Sequence, residues 1–167
     1  MMFISLVRKT IFYHNFNKLS FLSCTKDRHL QHRAQESESA RRLMAVEGVG
    51  PVTATAVVAT VGDAHEFSTG RQFATWLGLT PRQSSSGGKT RLGGISKRGN
   101  VYLRTLLVHG ARSVLQLTES RSDRKSQWVE AVKKRRGDNI AAIALAAKHA
   151  RILWAMLVRG ETYQLAA

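Results

Sequence analysis

The chain has one cysteine, Cys24, in 167 residues. No internal disulfide can form, and no metal site built from several cysteines is possible. Its six histidines, His14, His29, His32, His65, His109 and His149, fall into no H-E-x-x-H or Cys/His ligand pattern. Long apolar runs are also missing. The longest, Ile140 to Ala147, is far short of the ~18 residues that a membrane span needs. Near the N-terminus, Ile11-Phe12-Tyr13 is broken at once by His14, Asn15, Asn17 and Lys18, which excludes the apolar core of a signal peptide. A membrane partner is therefore not expected, and a reducing, cytoplasmic setting is.

Acidic residues are scarce: 11 Asp and Glu stand against 26 Lys and Arg, a net charge of +15. Such a balance points to a polyanionic partner. The excess is not confined to a tail. Residues 41–167 hold 20 Lys and Arg and 8 Asp and Glu, so 12 of the 15 excess positive charges lie there. No acid at all occurs between Phe67 and Thr118.

The centre of that acid-free span is Thr80 to Asn100. It contains Ser84-Ser85-Ser86, then Gly87, Gly88, Gly93, Gly94 and Gly99, interleaved with Arg82, Lys89, Arg91, Lys97 and Arg98. Hydroxyls, small residues and unopposed cations suit a backbone that must approach a phosphate. The same composition suits a solvated flexible linker. Gly88-Lys89-Thr90 invites a nucleotide-binding P-loop reading, but Gln83 stands where that motif requires its first glycine.

Flanking segments read as helices. Residues 26–45 form a polar helix anchored by Leu30, Ala34 and Leu43. Gly48-Val49-Gly50 followed by Pro51 resembles a helix-hairpin-helix turn, which would offer free N–H groups to a phosphate; an ordinary tight turn is the alternative. Pro51 opens an apolar helix that ends at Gly62. Ser68 is the expected cap of a short helix carrying Phe73, Trp76 and Leu77, stopped by Gly78, Leu79 and Pro81. Asn100 is the expected cap of a helix running to about Leu117, with Leu103, Leu106, Leu107, Gly110, Val114 and Leu117 on its core face and Arg104 and Arg112 near one side. The run Lys133-Lys134-Arg135-Arg136 reads as a solvated turn within reach of a nucleic-acid backbone. A last helix spans about 139–158, with Ile140, Ile143, Ala144, Ala147, Trp154 and Leu157 as its core face. The expected fold class is mainly α: a helical domain containing a helix-hairpin-helix unit and a Gly/Ser-rich basic loop between helices. Residues 1–25 read as an unrelated or disordered leader, 46–160 as the domain itself, and 161–167 as a frayed tail.

Five blocks then combine in order: V-E-G-V-G-P-V-T-A, F-x5-F-A-x-W-L-G-L-T-P-R, S-S-G-G-K, I-S-K-R-G-N-x-x-L-R and A-L-A-A-K-H-A-R-I-L-W-A-M-L. Over about residues 40–160 the chain resembles the C-terminal domain of the transposases named after the insertion sequences 110, 116 and 902. The resemblance implies DNA transposition and recombination, with DNA as partner, a structured element-encoded RNA as a further partner, homo-oligomers, and a nucleoid-associated site of action. It implies a serine nucleophile, which by the motif falls on Ser86, directly before Gly87; Ser96 is the runner-up. It also implies Mg²⁺ for the full-length enzyme, held by an N-terminal RNase-H-like domain. Before Arg41 only Asp27, Glu36 and Glu38 are acidic, so no cofactor is expected in this chain. The expectation is a truncated copy that is inactive alone. DNA contacts are expected at Gly48, Val49, Gly50, Arg82, Lys89, Arg91, Lys97, Arg98 and Arg104. The competing readings are a non-catalytic helix-hairpin-helix DNA-binding module and a basic RNA-binding protein. The Ser-Gly block separates the transposase from both, because a pure binder does not require it.

Overall fold

Pro51 occupies the first helical position, where its missing N–H leaves no bond unmade. In the computed structural model it opens a helix, Pro51–Val61, behind Gly50 as cap. The structure describes residues 28–86 and 89–164, with the side chains at 86 and 90 outside that description. The expected leader over 1–25, the pair Gly87-Gly88 and the last three residues of the expected tail also lie outside the described residues.

Seven helices and one two-stranded sheet make up the described chain. Residues 28–36 form α1, Glu38–Leu43 α2, Pro51–Val61 α3 and Gly70–Trp76 α4. Strands β1, Pro81–Ser86, and β2, Lys89–Ile95, follow. Helices α5, Val101–Leu115, α6, Arg124–Arg136, and α7, Asp138–Arg159, complete the order. The fold is mainly helical, as the periodicity predicts.

Several local details differ from the sequence reading. The polar helix expected over 26–45 is two helices, because Ser37 leaves helical geometry and its side chain accepts a bond from the Ala40 N–H as the cap of α2. Thr69, not Ser68, caps α4 by accepting from the Gln72 N–H. Ser68 instead donates through its N–H and its hydroxyl to Gln72 Oε1. The cationic run 133–136 is the last turn of α6 rather than a turn between helices. Asp123 caps that helix through Ser126, and the four cations sit where the helix dipole favours positive charge.

Helix α7 is central. It packs against α5, α4 and α6, and its end meets α2. Its fully buried residues are Ala141, Ala142, Leu145, Ala146, His149, Ala150, Leu153 and Met156. The expected face was turned by about one residue, or ~100°. Ile140 is 49 % exposed, while Ala144, Ala147, Trp154 and Leu157 fill the flanks of the core. Neighbours on several sides leave α7 no single apolar stripe, so a one-sided reading misplaces the seam. By length and composition α7 is also the one helix among the described residues that could cross a membrane; here its apolar residues build the core. Phe73 sits in that core with no exposed surface, its ring 5.2 Å from Phe67 and 5.7 Å from Trp76. Leu117, expected in the core, lies beyond the end of α5 and is exposed.

The largest difference is the Gly/Ser-rich stretch. It is an antiparallel hairpin, not a loop. The reason lies at its base. Gly78, at φ 71°, and Gly99, at φ 100°, bring the end of α4 and the approach to α5 into backbone contact. A Cβ on Gly99 would overlap the Trp76 carbonyl, and one on Gly78 would overlap that of Arg98. The Ser96 N–H donates to Thr80 O at 2.9 Å and the Lys97 N–H to Gly78 O at 3.2 Å. A chain that leaves and returns through one point can satisfy its backbone groups by pairing with itself.

Candidate nucleic-acid interface

The hairpin register decides which residues share a face. Gln83 pairs with Leu92, Ser84 with Arg91, Ser85 with Thr90 and Ser86 with Lys89, and between the Pro81–Ile95 and Gln83–Leu92 pairs the single residue Arg82 faces two, Gly93 and Gly94. Paired residues lie on the same side of an antiparallel ribbon, and the side alternates along each strand. Positions 84, 86, 89 and 91 therefore share one face, two serines opposite two cations. Positions 83, 85, 90 and 92 share the other. Ser85 is thus parted from Ser84 and Ser86, a distinction that a run of three serines does not reveal.

The ribbon is exposed on both faces. Arg82, Gln83, Ser84, Ser85, Lys89, Arg91 and Leu92 are all open to solvent, and neither strand packs substantially against α6 or α7. Among the described residues Arg82, Lys89 and Arg91 have no carboxylate within salt-bridge distance. Lys97 and Arg98 are exposed at the base of the ribbon, and Lys97 takes a left-handed backbone at φ 55°. Ser96 differs from the ribbon serines. Its Oγ is shut away from solvent and has no hydrogen-bond partner, so a phosphodiester has no access to it in this conformation.

Arg104 has an architectural contact. Its Nη1 donates to Leu77 O at 2.9 Å, which ties α5 to the end of α4 directly below the hairpin. Asn100 caps α5 by accepting from the Leu103 N–H at 3.0 Å. Together they fasten the start of α5 beside the base of the ribbon.

The Gly48-Val49-Gly50 turn lies elsewhere, against α5. Val49 is buried, and Gly48 meets Gly110 so closely that a Cβ on either would overlap the other's carbonyl oxygen. Only Gly50 is open, with nothing near a Cβ added there. No side chain caps α3, so its first N–H groups keep their capacity for an external acceptor.

Glu47, just before this turn, makes contacts that no sequence signal announces. It receives bonds from Lys125 Nζ and, at 2.6 Å, from Arg121 Nη1, residues 78 and 74 positions away. Burial acts to raise the Glu47 pKa, but the bonds and charges of Lys125 and Arg121 outweigh it and hold the carboxyl below its ordinary value. The pair pins the turn to the start of α6. Nearby, His149 is buried with its Nε2 unpartnered. Burial, with a smaller push from Lys125, lowers its pKa to about 4.

A family model for "Transposase IS116/IS110/IS902 family" matches residues 40–127, the span from α2 through the start of α6 and including the whole hairpin. The chain belongs to this family. A "probable family 20 transposase" of Pseudomonas aeruginosa is 53 % identical over 138 residues, covering 83 % of this chain and 41 % of that protein. The transposase for insertion sequence element IS1111A of Coxiella burnetii is 52 % identical over 134 residues, 80 % of this chain and 37 % of its own length. That for insertion sequence element IS1328 of Yersinia enterocolitica is 40 % identical over 137 residues, 82 % of this chain and 41 % of its own. The chain thus spans about two fifths of the length of these curated relatives.

The transposase-family resemblance implies Mg²⁺ for the full-length enzyme. Among the described residues no group of three or more His, Cys, Asp or Glu could hold a metal ion. Four of the carboxylates are also engaged, Glu47 by Lys125, Asp63 by His65, Glu119 by Lys133 and Asp123 by Ser126. The described residues do not fit a metal centre.

Proposed function

We propose that this domain binds DNA through its hairpin ribbon and carries the nucleophilic serine of a transposase at Ser86. The observation that supports the reading is the register: Ser84 and Ser86 share one face of an exposed ribbon with Arg91 and Lys89. A two-stranded ribbon is narrow enough to enter a nucleic-acid groove. Its cations would neutralise backbone phosphates, and Arg82, Lys97 and Arg98 extend the positive surface to its base. The uncapped start of α3 at Gly50 offers a second phosphate contact in the manner of a helix-hairpin-helix turn.

In the reaction, the Ser86 hydroxyl attacks a phosphodiester. A bond from its oxygen to phosphorus forms, the bond to the departing nucleotide breaks, and the serine proton ends on the departing oxygen. Lys89 and Arg91 would stabilise charge building on the non-bridging oxygens. Strand exchange belongs to the whole family protein, acting on the DNA of an insertion element in the cytoplasm, and the metal chemistry expected of it is not routed through any residue here. Homo-oligomers and an element-encoded RNA are further expectations of the same reading.

The test is a covalent adduct. This chain is supplied with the remaining segment of a close relative and incubated with element-end DNA, and protein–DNA adducts are trapped. Ser86→Ala should abolish the adduct and leave DNA affinity within about twofold, whereas Ser85→Ala should retain it. An adduct that persists in Ser86→Ala and disappears in Ser96→Ala would move the nucleophile to the buried serine and require the hairpin base to open. A non-catalytic binding module predicts no adduct with any variant.

A further inference from the structure

A second cationic surface lies outside the hairpin, on the α6/α7 pair. Arg124 and Trp128 are four residues apart on α6, and Lys148 and Arg151 three apart on α7, so each pair lies on one helix face. The two faces meet: Lys148 Nζ stands 4.7 Å from the centroid of the Trp128 ring. Among the described residues Arg124, Lys148 and Arg151 make no salt bridge. Lys125, beside them, is already neutralised by Glu47. The nearby carboxylate, Asp123, is engaged as the cap of α6, accepting from the Ser126 N–H at 3.1 Å and its hydroxyl at 2.6 Å. Burial, then the charges of Lys125, Arg151 and Arg124, push the Lys148 pKa down. Like charges gathered without a counter-charge oppose folding, and a bound anion would relieve them.

We propose that Arg124, Lys148 and Arg151 form a phosphate-binding site for the backbone of a nucleic acid, separate from the hairpin, with Trp128 holding the Lys148 ammonium in place. A π face holds an ammonium without neutralising it, so Lys148 keeps its charge for a phosphate. The site gives the domain a second grip, on another segment of the same nucleic acid or on a second molecule. It rests on the nucleic-acid reading above, but on different residues, so the two are separable by experiment.

The test compares Lys148→Gln/Arg151→Gln with Arg82→Gln/Arg91→Gln in the full chain. Binding to a short duplex DNA and to a single-stranded RNA of equal length is titrated across a series of salt concentrations. Loss of one phosphate contact should lower the slope of log K against log salt by about 0.9 on duplex DNA and about 0.7 on a single strand. The α6/α7 variant should lose about tenfold in affinity at low salt, with at least one such step in slope. A loss on the DNA arm assigns the site to DNA, and a loss on the RNA arm assigns it to RNA. Unchanged affinity and slope on both arms, with the hairpin variant weakened, would overturn the second site and leave the hairpin reading standing. No binding by the wild-type chain would overturn both. As a second readout free of charge removal, the wild-type fluorescence change on saturation with DNA or RNA should disappear in Trp128→Phe. A change that persists in full would place the nucleic acid away from α6/α7 and count against the proposal.

Discussion

The helical body and the hairpin are built on opposite terms. In the body, α7 is surrounded by α4, α5 and α6, and Phe73, Leu103, Leu107, Leu145 and Leu153 are among the largest fully buried side chains. In the hairpin nearly every described residue is exposed, and Leu92 keeps 66 % of its surface in water. An isolated two-stranded ribbon is marginal in water. This one is held at its base by the Gly78–Gly99 crossing and by Arg104. Body and ribbon therefore divide the work: one supplies stability, and the other supplies a surface that is not yet covered.

That division can be broken most directly in the core. Phe73→Ala removes a ring with no exposed surface, and we expect a loss of about 3–5 kcal/mol in urea unfolding. A loss below ~1 kcal/mol would mean that the body is far looser than its packing.

The next largest effect concerns pH. His149 has its pKa lowered to about 4 from 6.5, so the folded state binds fewer protons than the unfolded chain between those values. The contribution of neutral His149 is complete above pH 6.5 and is lost as pH falls toward 4. The expected loss is about 3 kcal/mol across that window. His149→Gln should flatten the corresponding part of the stability–pH profile. The same slope in wild type and variant would show that His149 does not titrate as its burial requires.

At the junction the effect is smaller. Asn100→Ala deletes the cap of α5 and should cost ~1 kcal/mol. It should also loosen the ribbon, read as faster amide exchange at β1 and β2 than in wild type.

Smallest of all is Leu92→Ala on the ribbon, expected to change body stability by less than ~0.5 kcal/mol. A loss as large as that of Phe73→Ala would erase the distinction between the two regions. Amides of β1 and β2 should exchange well before those of α7 and gain protection when DNA is added.

The ends of elements were legible because their causes are local. Pro51, Gly62, Gly78 and Asn100 act through the few residues beside them, and each marks a helix boundary where the sequence places one. Family membership was legible too, since five blocks in order carry more information than any single block. Helix α6 was missed for a local reason of another kind. Its mean composition is polar and its C-terminal cations read as a turn, whereas Val129 and Val132 anchor it on a neighbouring helix that periodicity alone does not reveal.

The rest was decided by residues distant in the chain. The excursion from Pro81 to Ile95 pairs with itself because Gly78, against Arg98, and Gly99, against Trp76, bring its two ends together, and only that pairing separates Ser85 from Ser84 and Ser86. Glu47 selects Lys125 and Arg121 across more than 70 residues, and the buried seam of α7 is set by three helices rather than by its own pattern. Composition and local pattern settled the charge, the helical class and the helix boundaries at Pro51, Gly62 and Asn100, since these depend on each residue and its neighbours. Which faces are covered, and which serine stands beside which cation, depends on what comes to lie opposite, and only the folded chain supplies that.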